Sequence, residues 1–261
     1  GRGGSDLSAI AVAASLDADV CQILTDVDGV YTCDPRIVLN ARKLPEISYD
    51  EMLEMASSGT KVMQSRSVEF AKKYGVVFEV CSSLNDNPGT LVTEEHPAME
   101  AVVIRGVSIE RSQARVTITD IPDTPGQSGK ILGCLADAEI NVDMIVSNIS
   151  SDGMARHSFT MHTNDLGRAQ AALKPVLSEL SSDAKIESEA ALAKLSTVGI
   201  GMRSHAGVAA KMFQALGKAG INIGMITTSE IKISVTVSES QIEDAARVVH
   251  EAFELDKKPL A

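Results

Sequence analysis

At 261 residues, with 44% hydrophobic and 23% charged positions, the chain has the make-up of an ordinary globular protein able to bury one large core or two to three small ones. A net charge of −11, no Lys/Arg block, no Trp and only three Tyr and five Phe argue against a surface that tracks phosphates and stacks bases, so no nucleic-acid partner is expected. No apolar run approaches the ~20 residues of a membrane helix, and Cys21, Cys33, Cys81 and Cys134 lie too far apart for a CxxC metal site or a disulfide framework. This predicts reduced thiols, a cytoplasmic setting and no membrane partner.

The chain starts with GRGGSDLSAI. Gly3 and Gly4 free the backbone to take positive φ, so that N–H groups can point at an anion. Ser5 and Asp6 are N-cap types in front of LSAIAVAASL, where Leu7, Ile10, Ala11 and Ala14 fall at helical spacing. The pattern predicts a helix N-terminus that favours phosphate or carboxylate, although a plain glycine turn capping a helix uses the same residues equally well.

DADVCQILTDVDGVYTCDPR then predicts a buried strand from Val20 to Thr25 that ends in a loop rich in Asp and Gly. ISYDEMLEMASSGTKVMQSRSVEFAKKYG reads as helix broken near Gly59, and VVFEVCSS as a short strand closed by the turn NDNPGT. The alternation predicts an α/β layer over 1–93, mostly parallel sheet with helices, with ligand loops at the carboxyl ends of the strands. Residues 94–106 read as a charged linker leading into a strand.

Beyond it the sequence repeats. PGQSGKILGCLADAEINVDMI lies over AGVAAKMFQALGKAGINIGMI at a constant offset of 81 residues, matching Gly126 to Gly207, Lys130 to Lys211, Leu135 to Leu216, Asn141 to Asn222 and Met144 to Met225. Two copies of one domain follow, 107–190 and 191–261, each a ferredoxin-like βαββαβ unit with helices on one face of an antiparallel sheet. Their exposed sheet edges are expected to pair with one another or with another chain.

Together GRGGSD, TDVDGVYTCDPR and the tandem repeat resemble the aspartate kinases, members of the amino-acid kinase superfamily with two C-terminal ACT domains. SYDEMLEMASSGTKVMQSRSVEFA, NDNPGTL, ITDIPDTPG and TSEIKISV add to a resemblance that covers essentially the whole chain. It implies transfer of the γ-phosphoryl group of ATP, with Mg²⁺, to the β-carboxylate of L-aspartate. That makes 4-phospho-L-aspartate, the entry to lysine, threonine, methionine and isoleucine. By the resemblance Arg2 forks onto a substrate carboxylate, Gly3, Gly4 and Ser5 line the site, and Asp6 orients neighbouring cations, with a helix cap as its alternative role. Thr25, Asp26, Tyr31 and Arg36 belong to the nucleotide loop, and Lys61 closes over the nucleotide; otherwise Tyr31 is core packing and Arg36 a solvated charge. No metal-ligating residues are assigned.

The repeat resembles paired ACT domains, which bind amino acids at a domain interface. Asp120, Asp123, Pro125 and Gly126 of the first copy are expected around an effector, lysine, threonine or both, with Asn141 and Asp143 completing the pocket. Asn141 and Asn222 suit turns entering a strand just as well. The second copy has RSHAGV in place of DIPDTPGQ and is assigned to packing and to a homo-oligomer built through the ACT domains. In this family GRGGSD lies inside the kinase domain, behind a half that carries a KFGG-type segment. The chain is therefore expected to be the C-terminal portion of a longer enzyme and to turn nothing over alone. The alternatives are a different amino-acid kinase and a non-catalytic, amino-acid-sensing regulatory subunit.

Overall fold

The structure, a computed structural model, describes residues 4–59, 62–150 and 153–257. The first layer contains α1 (Gly4–Leu16), β1 (Cys21–Thr25), β2 (Glu46–Ser48), α2 (Tyr49–Ser57), α3 (Ser65–Tyr74), β3 (Phe78–Ser82) and β4 (Thr90–Thr93). Its sheet has the order β1-β3-β4-β2, with β1/β3 and β2/β4 parallel and β3/β4 antiparallel. β1 alternates, burying Cys21 and Ile23 and exposing Gln22 and Leu24, whereas Phe78, Val80 and Cys81 of β3 are all buried. The helical stretch does break around Gly59. Its first residues, however, form β2, and Ser48 and Glu51 then start α2 as a reciprocal capping box. α1 starts at Gly4, which places Ser5 and Asp6 in its first turn rather than ahead of it.

After the short α4 (Pro97–Glu100) come β5 (Gly106–Pro122), α5 (Gln127–Asp137), β6 (Ile145–Ile149), β7 (Met154–His162), α6 (Leu166–Leu180), β8 (Lys185–Val198), α7 (Val208–Lys218), β9 (Ile226–Thr228), β10 (Lys232–Ser238) and α8 (Ile242–Ala252). These make one antiparallel sheet of order β6-β7-β5-β8-β10-β9. The repeat holds in three dimensions, at 81 residues through α5 and α7 and at 76 between Thr160 and Thr236. α5 and α7 start after Gly126 (φ 92°) and Gly207 (φ 88°), left-handed positions that suit glycine. The amides of Met144 and Met225 donate to the hydroxyls of Thr160 (3.1 Å) and Thr236 (2.7 Å).

The two copies do not meet edge to edge; they share strands. The later part of β5 pairs with β7 and with residues 185–189 of β8 in the first copy, whereas its beginning, Gly106 to Glu110, pairs with Val198 to Lys194 in the second. Each long strand bends where it changes copy, at Ser112 (φ 59°) and Ala191 (φ 58°), both beside register shifts. The sheet is joined through its middle, and β6 and β9 are left as its outer strands.

α5 and α6 cover the first copy's core of Val116, Ile118, Ile121, Phe159 and Leu173; α7 and α8 cover Ala193, Leu195, Val235 and Val249 in the second. The other face of the second copy receives α2 from the first layer. Val198 packs with Met52 and Met55, Lys232 Nζ lies 2.7 Å from Glu54 Oε2, and the buried carboxylate of Glu51 accepts the Ile200 amide at 3.0 Å and Arg105 Nε at 3.3 Å.

Candidate functional site

β1 follows α1 across residues 17–20 alone and packs against it, a reversal of the chain that sets the carboxyl end of the strand toward the start of the helix. β3 is parallel to β1, and its Thr25↔Ser82 pairing brings a second strand end there, with the Ser83 amide donating to the Thr25 carbonyl at 2.8 Å. Of the predicted acid-binding residues, Gly4, Ser5 and Asp6 form the first turn of α1, whose unpaired amides favour an anion. Ser5 Oγ donates to Asp6 Oδ1 at 3.2 Å. Arg2, Gly3 and Lys61 lie outside the described residues.

In the predicted nucleotide loop, Thr25 ends β1 and donates to the exposed Asp26 carboxylate at 3.2 Å. The Tyr31 hydroxyl donates to Asp28 Oδ1 at 2.7 Å, and Lys43 Nζ lies 3.3 Å from Asp28 Oδ2. Burial first, and then the Asp28 carboxylate, push the Tyr31 phenol up to about 12, while its hydrogen bond helps hold Asp28 below the usual carboxylate range. Tyr31 is thus a half-buried, hydroxyl-anchored ring beside the loop. Arg36 sits at the loop tip with its guanidinium forked onto Asp34, Nη2 to Oδ2 at 2.7 Å. In this state it is directed at its own loop.

The predicted effector residues fall into two groups. Asp120 (φ 62°), Asp123, Pro125 and Gly126 surround the start of α5, where Lys185 Nζ lies 3.0 Å from Asp120 Oδ2 and the Asp123 amide donates to the Gly153 carbonyl. Asn141 and Asp143 follow the other end of that helix. Eleven residues at about 1.5 Å each separate the groups by roughly 16 Å, so within one copy of the chain they do not form one pocket. Asp143 is instead bound by Lys194, whose ammonium is buried and also reaches Glu110 Oε2 at 2.7 Å. Burial opposes the charge on Lys194, yet the two carboxylates raise its pKa.

Sequence reasoning did not single out two further features. A cleft of about 460 Å³ lies where the copies join, lined by Arg115 and Glu189 on one side and Asn222, Gly224 and Thr236 on the other. The second copy, assigned to packing, therefore also carries a polar cleft. The Glu51 clamp was legible only as an S-x-x-E capping signature, because its partners Arg105 and Ile200 are far away in sequence.

Comparison with known proteins follows the same division. Residues 1–82 match the amino acid kinase family model, and 115–179 and 195–253 each match an ACT domain model. An aspartokinase of Pseudomonas aeruginosa is 52% identical over 258 residues, covering 98% of the chain, and the chain spans 62% of that relative's length. E. coli aspartokinase III, solved with aspartate and ADP, superposes with a TM-score of 0.78 at 29% identity over 97% of the chain and 56% of its own. The same enzyme solved with lysine and aspartate gives 0.75 at 29% identity, with the same shares covered. The regulatory subunit of aspartate kinase from Thermus thermophilus is 38% identical with a TM-score of 0.55, over 58% of the chain and 99% of its own.

Proposed function

Because the chain belongs to the aspartate kinase family, we propose that it supplies the nucleotide-loop part of the kinase domain and the amino-acid-sensing modules of an enzyme that phosphorylates the β-carboxylate of L-aspartate with ATP. The observation that carries this reading is the packing of a kinase-family layer, through one buried carboxylate, onto a duplicated ACT sheet in the same chain.

The substrate carboxylate is already an anion at neutral pH, so the step needs no strong base. Its difficulty is bringing two anions together. The first turn of α1 presents amides and the Ser5 hydroxyl to one of them, and Arg2 and Lys61 add positive charge. Asp26 and Thr25 take the polar edge of the nucleotide, and Tyr31, its hydroxyl fixed by Asp28, offers a ring face to ribose or base. Asp26, an exposed carboxylate at the end of β1, would be the residue to hold a Mg²⁺ ion brought in with ATP, which would supply neutralisation of phosphate charge. Arg36 reaches phosphate only by leaving Asp34.

Lysine, threonine or both act as feedback effectors at the ACT modules of a homo-oligomer. Asp120 and Asp123 with the start of α5 make one half of the effector contact, and Asn141 with Asp143 the other. With roughly 16 Å between them, this reading gives the two halves to different copies of the chain. A second reading, a non-catalytic sensing subunit, is favoured by the Thermus thermophilus regulatory subunit, 99% of whose length is covered by 58% of the chain. Residues 1–93 have no use in that reading.

The test joins the chain to the amino-terminal portion that its Pseudomonas aeruginosa relative carries and measures aspartyl phosphate as its hydroxamate. ATP-dependent product inhibited by lysine or threonine is expected, with the chain alone silent. Turnover by the chain alone, or inhibition unchanged by Asp123→Ala, contradicts the respective assignment.

A further inference from the structure

The loop that this reading gives to ATP does not rest on the kinase layer alone. From Val30 the chain runs out and returns at Leu44 as two paired arms, Thr32 donating to Arg42 at 2.9 Å and Leu44 to Val30 at 2.8 Å. Its tip is seated on α8 of the second ACT module. Cys33 and Val38 are each 3% exposed and belong to the same apolar cluster as Ala245, Ala246 and Val249 of α8. At the rim, Arg247 Nε donates to the Ile37 carbonyl at 3.0 Å.

Inside this apolar contact lies one polar pair. Thr32 Oγ1 is 2.9 Å from His250 Nε2, both residues are buried, and the same hydroxyl accepts the Arg42 amide at 2.9 Å. The Thr32 carbonyl accepts the Val107 amide at 2.7 Å, tying the loop also to the start of β5. A polar pair closed off from water makes an interface position-specific, because a slide leaves both groups unpaired in an apolar setting.

We propose that α8 of the second ACT module is the seat of the nucleotide loop, with Thr32 and His250 as positioning residues that hold 25–36 in its ATP-binding shape. The proposal rests on the reading of 25–36 as the ATP loop. It gives the regulatory sheet a short physical route to one substrate: a displacement of α8 moves the nucleotide loop directly and leaves the start of α1 where it is.

The test uses the chain completed by its relatives' amino-terminal portion. Thr32→Val and His250→Leu are each expected to raise KM for ATP about tenfold, with kcat and KM for aspartate within about twofold. The double variant is expected to be no worse than Thr32→Val alone, which already loses the His250 contact together with the acceptor of the Arg42 amide. Arg247→Met sits on the exposed rim, keeps the fold if the buried variants do not, and is expected to raise KM for ATP about threefold. Unchanged KM for ATP in all folded variants overturns the proposal, and so does an equal rise in both KM values, which marks general loosening. Asp26→Asn separates the two levels. If it moves KM for ATP while the α8 variants do not, the seat alone is wrong; if it does not, the reading of the loop falls and the seat with it.

Discussion

Glu51 is a fully buried carboxylate held by the amide and hydroxyl of Ser48 (3.2 Å each), the Ile200 amide (3.0 Å) and Arg105 Nε (3.3 Å). Removing it leaves a buried guanidinium and an unpaired amide, so Glu51→Ala is expected to cost about 3–5 kcal/mol in denaturant unfolding. Tyr31 and Tyr49, whose phenols burial chiefly pushes up to about 12, are expected to give tyrosinate absorbance only near that pH. Their folded values lie above the ordinary 10, so the stability they contribute is present below 10 and is lost as pH climbs through about 12. Tyr31→Phe removes its share of that titration. Cys33, likewise pushed up to about 12 by burial, is expected to resist alkylation until the protein unfolds. Among residues, the sequence showed chemistry better than partnership. It marked Tyr31, Arg36 and Asp143 as polar groups of interest; the contacts of Tyr31 with Asp28, Arg36 with Asp34 and Asp143 with Lys194 required coordinates.

Among elements, the glycines show where backbones come close. A Cβ on Gly59 (φ 105°) would lie 2.1 Å from the Ile109 carbonyl oxygen, so Gly59→Ala is expected to push the end of α2 away from β5 and lower the melting temperature. Gly126 and Gly207 have open space around them, so alanine there brings backbone strain alone, about 1–2 kcal/mol at either position. The ungapped offset marks α5 and α7 in the sequence, and the alternation in ARHSFTMH and IKISVTVS marks β7 and β10. Sequence reasoning missed β2 and β4, three and four residues long, which are too short to carry a period. It also missed the first half of β5 and most of the length of β8. KIESEAA at the start of β8 is polar and largely exposed, and it is a strand because β5 pairs with it.

For the molecule as a whole, His157 and His250 are both buried, and burial chiefly holds each below its ordinary pKa of 6.5; the charges of Asp123 and Asp256 oppose this and Arg42 reinforces it at His250. Their contribution is present above 6.5 and is lost as pH falls through the depressed folded values. The melting temperature is therefore expected to drop on acidification below that point, and less steeply in a His157→Leu, His250→Leu chain. The shared strands carry a further consequence. Residues 106–110, which complete the second module's sheet, come before the whole first module in the chain, so the second module is discontinuous and the first is threaded through it. No single cut frees either one, and an isolated 191–261 piece, which lacks the strand 106–110, is expected to give no cooperative melt. Anyone exchanging an ACT module of this chain for another has to move both modules as one cassette, with splice points ahead of Gly106 and beyond α8.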